Sequence, residues 1–128
     1  DRRQRQMCIR DSTKSLDFSS KNSSIIKAMS SLSKKDIPII SLFITGRPLI
    51  VNKELNLSSA FVSIWHPGTA VEGINDVIFS NKDNSINHNF KGKLSFSWPS
   101  ETSTNPLNIS DTEYNPLFKY GYGLSYEN

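Results

Sequence analysis

Cysteine and histidine are nearly absent from this sequence. Its 128 residues hold one cysteine, Cys8, and two histidines, His66 and His88. A single thiol cannot form an internal disulfide, so cysteine use gives no redox compartment. A histidine with no cysteine and no second histidine nearby lacks the ligand spacing of a zinc site. Glycine is also sparse, at six residues, and none of them builds a phosphate-cradling loop or a nucleophile elbow. Long apolar runs are missing. The longest, Ile37 to Ile44, is broken by Pro38 and Ser41, well short of the roughly 20 residues that a membrane helix needs. The reading therefore contains no cofactor, no metal and no membrane partner.

What is present suits one folded domain: 36% hydrophobic and 10% aromatic residues in a length that accommodates one core and not two. The net charge is +3, which raises the question of nucleic acid. Arg2, Arg3, Arg5 and Arg10 stand against Asp1 and Asp11 in the first dozen residues, a net of +2; the remaining eleven basic and ten acidic residues nearly cancel. The body has no basic stripe to track phosphates, so nucleic acid is not expected as a partner.

That first dozen, DRRQRQMCIRDS, has no helical or strand periodicity. It resembles the in-frame translation of a transposase adapter from sequencing libraries. The adapter's mosaic end translates to Met-Cys-Ile-Arg-Asp-Ser, matching Met7 to Ser12, and the bases before it to Arg-Arg-Gln-Arg-Gln, matching Arg2 to Gln6. Residues 1–12 are therefore expected to be non-native and to make no core contact. Cys8 goes with them. The native domain is expected over 13–128, truncated on its N-terminal side.

From Ser19 to Ser33 the spacing predicts a helix. Ile25, Ile26, Met29 and Leu32 fall on one face, and Lys34 and Lys35 suit the negative end of the helix dipole. Ile37 to Ile44 is apolar at every position but Ser41 and does not alternate, like a strand buried on both faces of a parallel sheet. Thr45-Gly46-Arg47-Pro48 ends it. Leu49 to Val51 is a second short apolar run, and Asn52 to Ser58 reads as polar loop. Ala60 to Trp65 is a second buried strand, ended by Pro67-Gly68. Val71, Ile74, Val77 and Ile78 recur at helical spacing, with Thr69 as a cap. Asn81 to Asn89 is an Asn-rich loop. Lys93 to Trp98 alternates as a strand with one wet face, and Phe118 to Tyr126 is an aromatic tail. This order predicts an α/β fold, a mostly parallel sheet with helices on both faces. Ile39, Ile40, Leu42, Phe43, Phe61, Val62 and Ile64 are its expected core, packed by Ile25, Met29, Val77 and Ile78.

Ligands of such folds meet the carboxyl ends of the strands. Here those ends carry Arg47 on one side and Trp65 with His66 on the other. Arg47 offers a planar fork of donors, for a sugar, for a partner domain, or for a structural pairing with Glu72 or Asp76. Trp65 is either a sugar platform or a core ring, and His66 a titrating neighbour or a solvent-edge residue. Glu72 and Asp76 lie four apart on one helix face. Helix-face carboxylates are mostly solvated, and no catalytic residue is assigned.

Several short motifs stand in an order that resembles the second domain of glycoside hydrolase family 3, in its bacterial β-glucosidase and exo-glucanase branch. They are Gly46-Arg47-Pro48-Leu49, Ala60-Phe61-Val62 to Trp65, Pro67-Gly68-Thr69, Glu72-Gly73-Ile74, Asp76-Val77-Ile78-Phe79, Gly92 to Pro99, Pro106-Leu107-Asn108, Tyr114 to Phe118 and Tyr120 to Leu124. The chain departs from the pattern at Ala70-Val71, where the family usually has Glu-Gly. The resemblance implies an α/β sandwich and a parent enzyme that cleaves terminal β-glucosyl residues with retention. A (β/α)8 barrel would supply the aspartate nucleophile, and a loop preceding Thr13 the glutamate acid/base. Neither would lie in this chain. A β-glucoside or oligosaccharide would be the partner, through that barrel, and a periplasmic or secreted parent is expected. Arg47, Trp65 and His66 would face substrate or the domain interface. A non-catalytic carbohydrate-binding or interaction module, using Trp65, Trp98 and the tyrosine tail, is the alternative.

Overall fold

The computed structural model describes residues 16–18, 23–103 and 107–126. Residues 1–12, with the adapter-like segment, lie outside it, as do residues 19–22 at the start of the expected first helix. That helix, α1 (Ser23–Ser33), turns its Met29 into the core. It stops where Asp36 takes a left-handed conformation, φ 54°, and the Ile37 N–H donates back to the Leu32 carbonyl. This closure satisfies carbonyls that the last turn leaves without partners. Ile25, expected inside, is exposed, as is Leu32 on the same face.

Strand β1 (Ile40–Phe43) and strand β2 (Ala60–Ser63) pair in parallel, Ile40 opposite Ala60 and Phe43 opposite Ser63. Parallel neighbours need a crossover rather than a tight turn. Residues 52–58, expected as loop, supply it: α2 (Asn52–Leu57) sits between the two strands and packs against α1. Polar composition masked this helix. A two-turn crossover needs only a few inward side chains, and here Glu54 and the half-buried Leu55 provide them. Its end is tied by the Ser58 hydroxyl, which donates to the Glu54 carbonyl at 2.7 Å.

Side chains alternate across a sheet, so Ser41, Phe43, Phe61 and Ser63 share one face and Ile40, Leu42, Ala60 and Val62 the other. The first face carries the core. Phe43 packs edge-on to Phe18 at 5.2 Å and tilted against Phe61 at 5.5 Å and Trp98 at 6.3 Å. Val51, fully inaccessible, completes the cluster. On the second face Val62 is buried, but Ile40 is 57% exposed and Leu42 45% exposed. Helices on both faces would have buried them. Among the described residues the parallel sheet has two strands, so its second face lacks a full cover.

The chain then forms α3 (Glu72–Ile78), whose N-cap is Val71 in helical conformation and without a side-chain cap bond. Thr69 lies too early to serve as the expected cap. It belongs to a run-in of turns in which Ala70 bonds the Pro67 carbonyl and Gly73 the Ala70 carbonyl. Val77 and Ile78 are half-buried rather than core residues. Within the Asn-rich loop, Ser85 bonds Asp83 through both its hydroxyl and its N–H, and the His88 N–H returns to the Asp76 carbonyl.

The expected strand over Lys93 to Trp98 shrinks to β3 (Trp98–Pro99), antiparallel to β4 (Pro116–Phe118) with an irregular register. Its alternation survives as burial, with Leu94, Phe96 and Trp98 turned inward. The aromatic tail folds back on this region. Leu94 and the tail exchange backbone bonds through Tyr122 and Gly121, and Phe118 stacks on Tyr122 at 4.6 Å. The Tyr126 hydroxyl reaches the Val77 carbonyl at 2.6 Å.

Three substitutions test this packing. Phe43→Ala should cost about 3–5 kcal/mol, the range for deleting a buried phenyl ring, whereas Leu42→Ala on the open face should cost less than about 1 kcal/mol. Denaturant melts of the two variants check the face assignment, and equal losses would contradict it. Gly123→Ala should cost about 1–3 kcal/mol. A Cβ there would run into the Gly92 carbonyl oxygen, a backbone atom that cannot swing aside, and the melt should show the tail released first.

Candidate functional site

Because β1 and β2 are parallel, the turns that follow them emerge at the same end of the sheet. The first turn is set by Thr45. Its buried hydroxyl donates to the Arg47 carbonyl at 2.7 Å and accepts the Arg47 N–H at 3.3 Å. This ring of bonds holds Gly46 and Arg47 in a fixed loop, with Arg47 half-buried. The second turn holds Trp65 in a left-handed conformation, φ 51°. A bulky side chain rarely adopts this backbone, and it persists only where its surroundings enforce it. Here the enforcement is aromatic: Trp65 meets Phe96 edge-on at 5.6 Å and Trp98 at 5.6 Å. The turn then carries the exposed His66 across to the first loop.

The two turns touch. A Cβ built on Gly46 would lie 2.7 Å from the His66 Nε2, closer than real contacts allow, so only glycine admits the ring there. Gly46, Trp65 and the stretch Lys93 to Phe96 line a cavity of about 280 Å³ beside this contact. The structure therefore brings Gly46, Trp65 and His66 together, with Arg47 on the adjoining loop. Trp65 acts as part of the aromatic core on one side and as a cavity wall on the other. Trp98, considered above as a contact residue, is only 2% exposed and bonds the Leu49 carbonyl through its indole N–H; it is structural. Tyr120, Tyr122 and Tyr126 stay largely exposed.

A second, larger groove of about 770 Å³ runs along β2, lined by all four of its residues and by Ile40, Ile78, Phe90 and the tail at Leu124 and Tyr126. Glu72 and Asp76 lie exposed outside the strand-end cavity; the Asp76 carboxylate faces the Asn87 amide at 3.5 Å. Among the described residues no group of three His, Cys, Asp or Glu side chains is placed to hold a metal ion.

Sequence reasoning gave one carboxylate no role. Glu54 on α2 is 3% exposed, and neither carboxyl oxygen has a hydrogen-bond partner. Burial pushes its carboxyl above the usual range, the nearby charges of Asp17 and Glu101 push the same way, and its own backbone N–H and Lys53 act against them without bonding its oxygens. Its place between a lysine and a leucine in a polar stretch gave no signal of this. Asp83 shifts oppositely: the Ser85 hydroxyl and N–H hold it below the carboxylate range.

Comparison with known proteins supplies the context of this site. The family model described as Glycosyl hydrolase family 3 C-terminal domain matches residues 6–126. A periplasmic beta-glucosidase of Salmonella typhimurium is 29% identical over a region covering 70% of this chain and 14% of that protein. Two crystal structures of an exo-1,3/1,4-beta-glucanase (ExoP) from a Pseudoalteromonas species are similar. One, of a point mutant, superposes with a TM-score of 0.82 at 45% identity, covering 88% of this chain and 18% of that one. The other has a TM-score of 0.79 at 45% identity, covering 88% of this chain and 14% of its own. This chain thus spans less than a fifth of the length of these relatives.

The Gly46–His66 contact is directly testable. Gly46→Ala should displace the exposed imidazole rather than unfold the chain, because the clashing atom is the far end of a side chain. The expected result is a shifted His66 ring resonance by NMR with a stability loss under about 1 kcal/mol. His66→Ala in the same background should remove that loss. An unchanged His66 signal would contradict the packing of the two turns.

Proposed function

Because the chain belongs to the glycosyl hydrolase family 3 C-terminal domain family, we propose that it is part of a retaining β-glucosidase or exo-β-glucanase acting on terminal β-D-glucosyl residues. The observation that carries this reading is the 45% identity over 88% of the chain to an exo-1,3/1,4-beta-glucanase, with a backbone that superposes at a TM-score of 0.82. In the same reading the parent is periplasmic or secreted, in keeping with the periplasmic beta-glucosidase among its relatives. Its sheet is completed by further polypeptide covering Ile40 and Leu42, so that a full α/β sandwich forms.

Retaining hydrolysis needs two carboxyl groups about 5–5.5 Å apart, one as nucleophile and one as acid/base. We assign neither to this chain. The aspartate nucleophile belongs to a barrel domain and the glutamate to a loop outside residues 13–128. The residues here scaffold that loop and present Arg47, Trp65 and His66 at the sheet's carboxyl end, toward substrate or barrel. Trp65 supplies an apolar wall, Arg47 a fork of donors, and His66 a polar tip held by its contact with Gly46.

The chain alone should leave aryl β-glucosides unhydrolysed above background. Joined in one polypeptide to the barrel and acid/base loop of an exo-glucanase relative, it should give turnover with retained anomeric configuration, read by NMR of the first-formed sugar. Removing either carboxylate from that chimera should lower kcat by orders of magnitude. Turnover by the chain alone, abolished by changing Glu72, would overturn the proposal and move the catalytic site to α3. Glucan binding without turnover in either form would favour a carbohydrate-binding module.

A further inference from the structure

Glu54 has no part in that function, yet it is the most thoroughly enclosed carboxyl group described. Its two oxygens are buried without a donor, and the Asn52 side-chain oxygen two residues earlier on α2 is likewise buried and unbonded. An ionised carboxylate in such a place is costly unless a cation or several donors meet it. Among the described residues neither bonds the Glu54 carboxyl oxygens. Asp17, bridged to Ile50 just before α2, and Glu101, just after β3, are both acidic. Lys53 is the neighbouring cation on α2, and it is exposed. Lys27 is the one charged residue of α1, which packs against α2, and it too is exposed.

We propose that the enclosed Glu54 carboxyl, when protonated, latches α2, the crossover between β1 and β2, into the fold. The local structure makes α2 dependent on such a latch. Six residues cannot sustain a helix alone, so α2 holds its shape through packing. Ionisation of Glu54 draws its head group toward water, and α2 with it, loosening the segment that begins soon after Pro48. The strand-end turn at Gly46 and Arg47 is thereby coupled to proton activity.

The sign follows from linkage. A carboxyl group that holds its proton more tightly in the folded chain than in the unfolded one stabilises the fold fully below the ordinary glutamate value of 4.5. That contribution is lost as pH rises through the folded value.

The test compares the whole chain with its Glu54→Gln variant, which keeps the shape and removes the ionisation. Melting temperatures are measured from about pH 4 to pH 8. The two proteins should melt alike at the acid end, and the variant should melt several degrees higher at the alkaline end. In parallel, the methyl resonance of Met29, the buried residue of α1, should shift with pH in the parent sequence and stay fixed in the variant. A Glu54 side-chain carboxyl resonance should titrate with a midpoint above that of glutamate in an unstructured peptide. Parallel melting curves, or a Glu54 midpoint equal to that of the peptide, would overturn the proposal.

Discussion

The indole of Trp98 is the joint on which the rest of this fold depends. Its N–H donates to the Leu49 carbonyl at 2.8 Å, spanning 49 residues of sequence. Its rings meet Phe43 from β1, Trp65 from the turn after β2, and Phe96 from its own segment. One side chain thus ties the parallel pair to the antiparallel pair. The polar tip matters as much as the apolar body. An indole N–H buried without an acceptor would oppose the packing that the rings favour. Leu49 lies just after the Gly46-Arg47-Pro48 turn and shortly before Val51, so the same bond anchors the segment between β1 and α2.

The strand-end site inherits its geometry from that joint. Trp65 occupies a left-handed backbone conformation that isolated tryptophan avoids. Contact with Trp98 and Phe96 over-determines it, and the strained turn delivers His66 onto Gly46. The aromatic cluster therefore acts at a distance on a polar surface. On the other side of the sheet the opposite holds. Ile40 and Leu42 have the side chains of a buried strand but stand exposed, consistent with a chain that spans under a fifth of its relatives' length.

Much of this was legible in the residue order. The two apolar runs from Ile37 and Ala60 announced parallel strands, and the structure pairs them in parallel, although one face of the pair stays open. The helices at Ser23–Ser33 and Glu72–Ile78 followed from spacing. The motifs from Gly46 to Leu124 pointed to the family that the comparisons show. Arg47, Trp65 and His66 were singled out by their place at the strand ends, since parallel strands deliver their carboxyl ends to one side.

The sequence by itself determined which segments are apolar, where they break, and the family that their order spells, because these are properties of neighbours along the chain. Only the tertiary structure decided that residues 52–57 are a helix, that Trp98 is a structural joint, and that Glu54 is enclosed. Each of these depends on residues far away in sequence: the strands that α2 must bridge, the Leu49 carbonyl that receives the indole, and the packed elements that shut water away from a carboxyl group. Burial and hydrogen-bond partnership are relations between distant segments, and a local pattern of polar and apolar residues does not encode them.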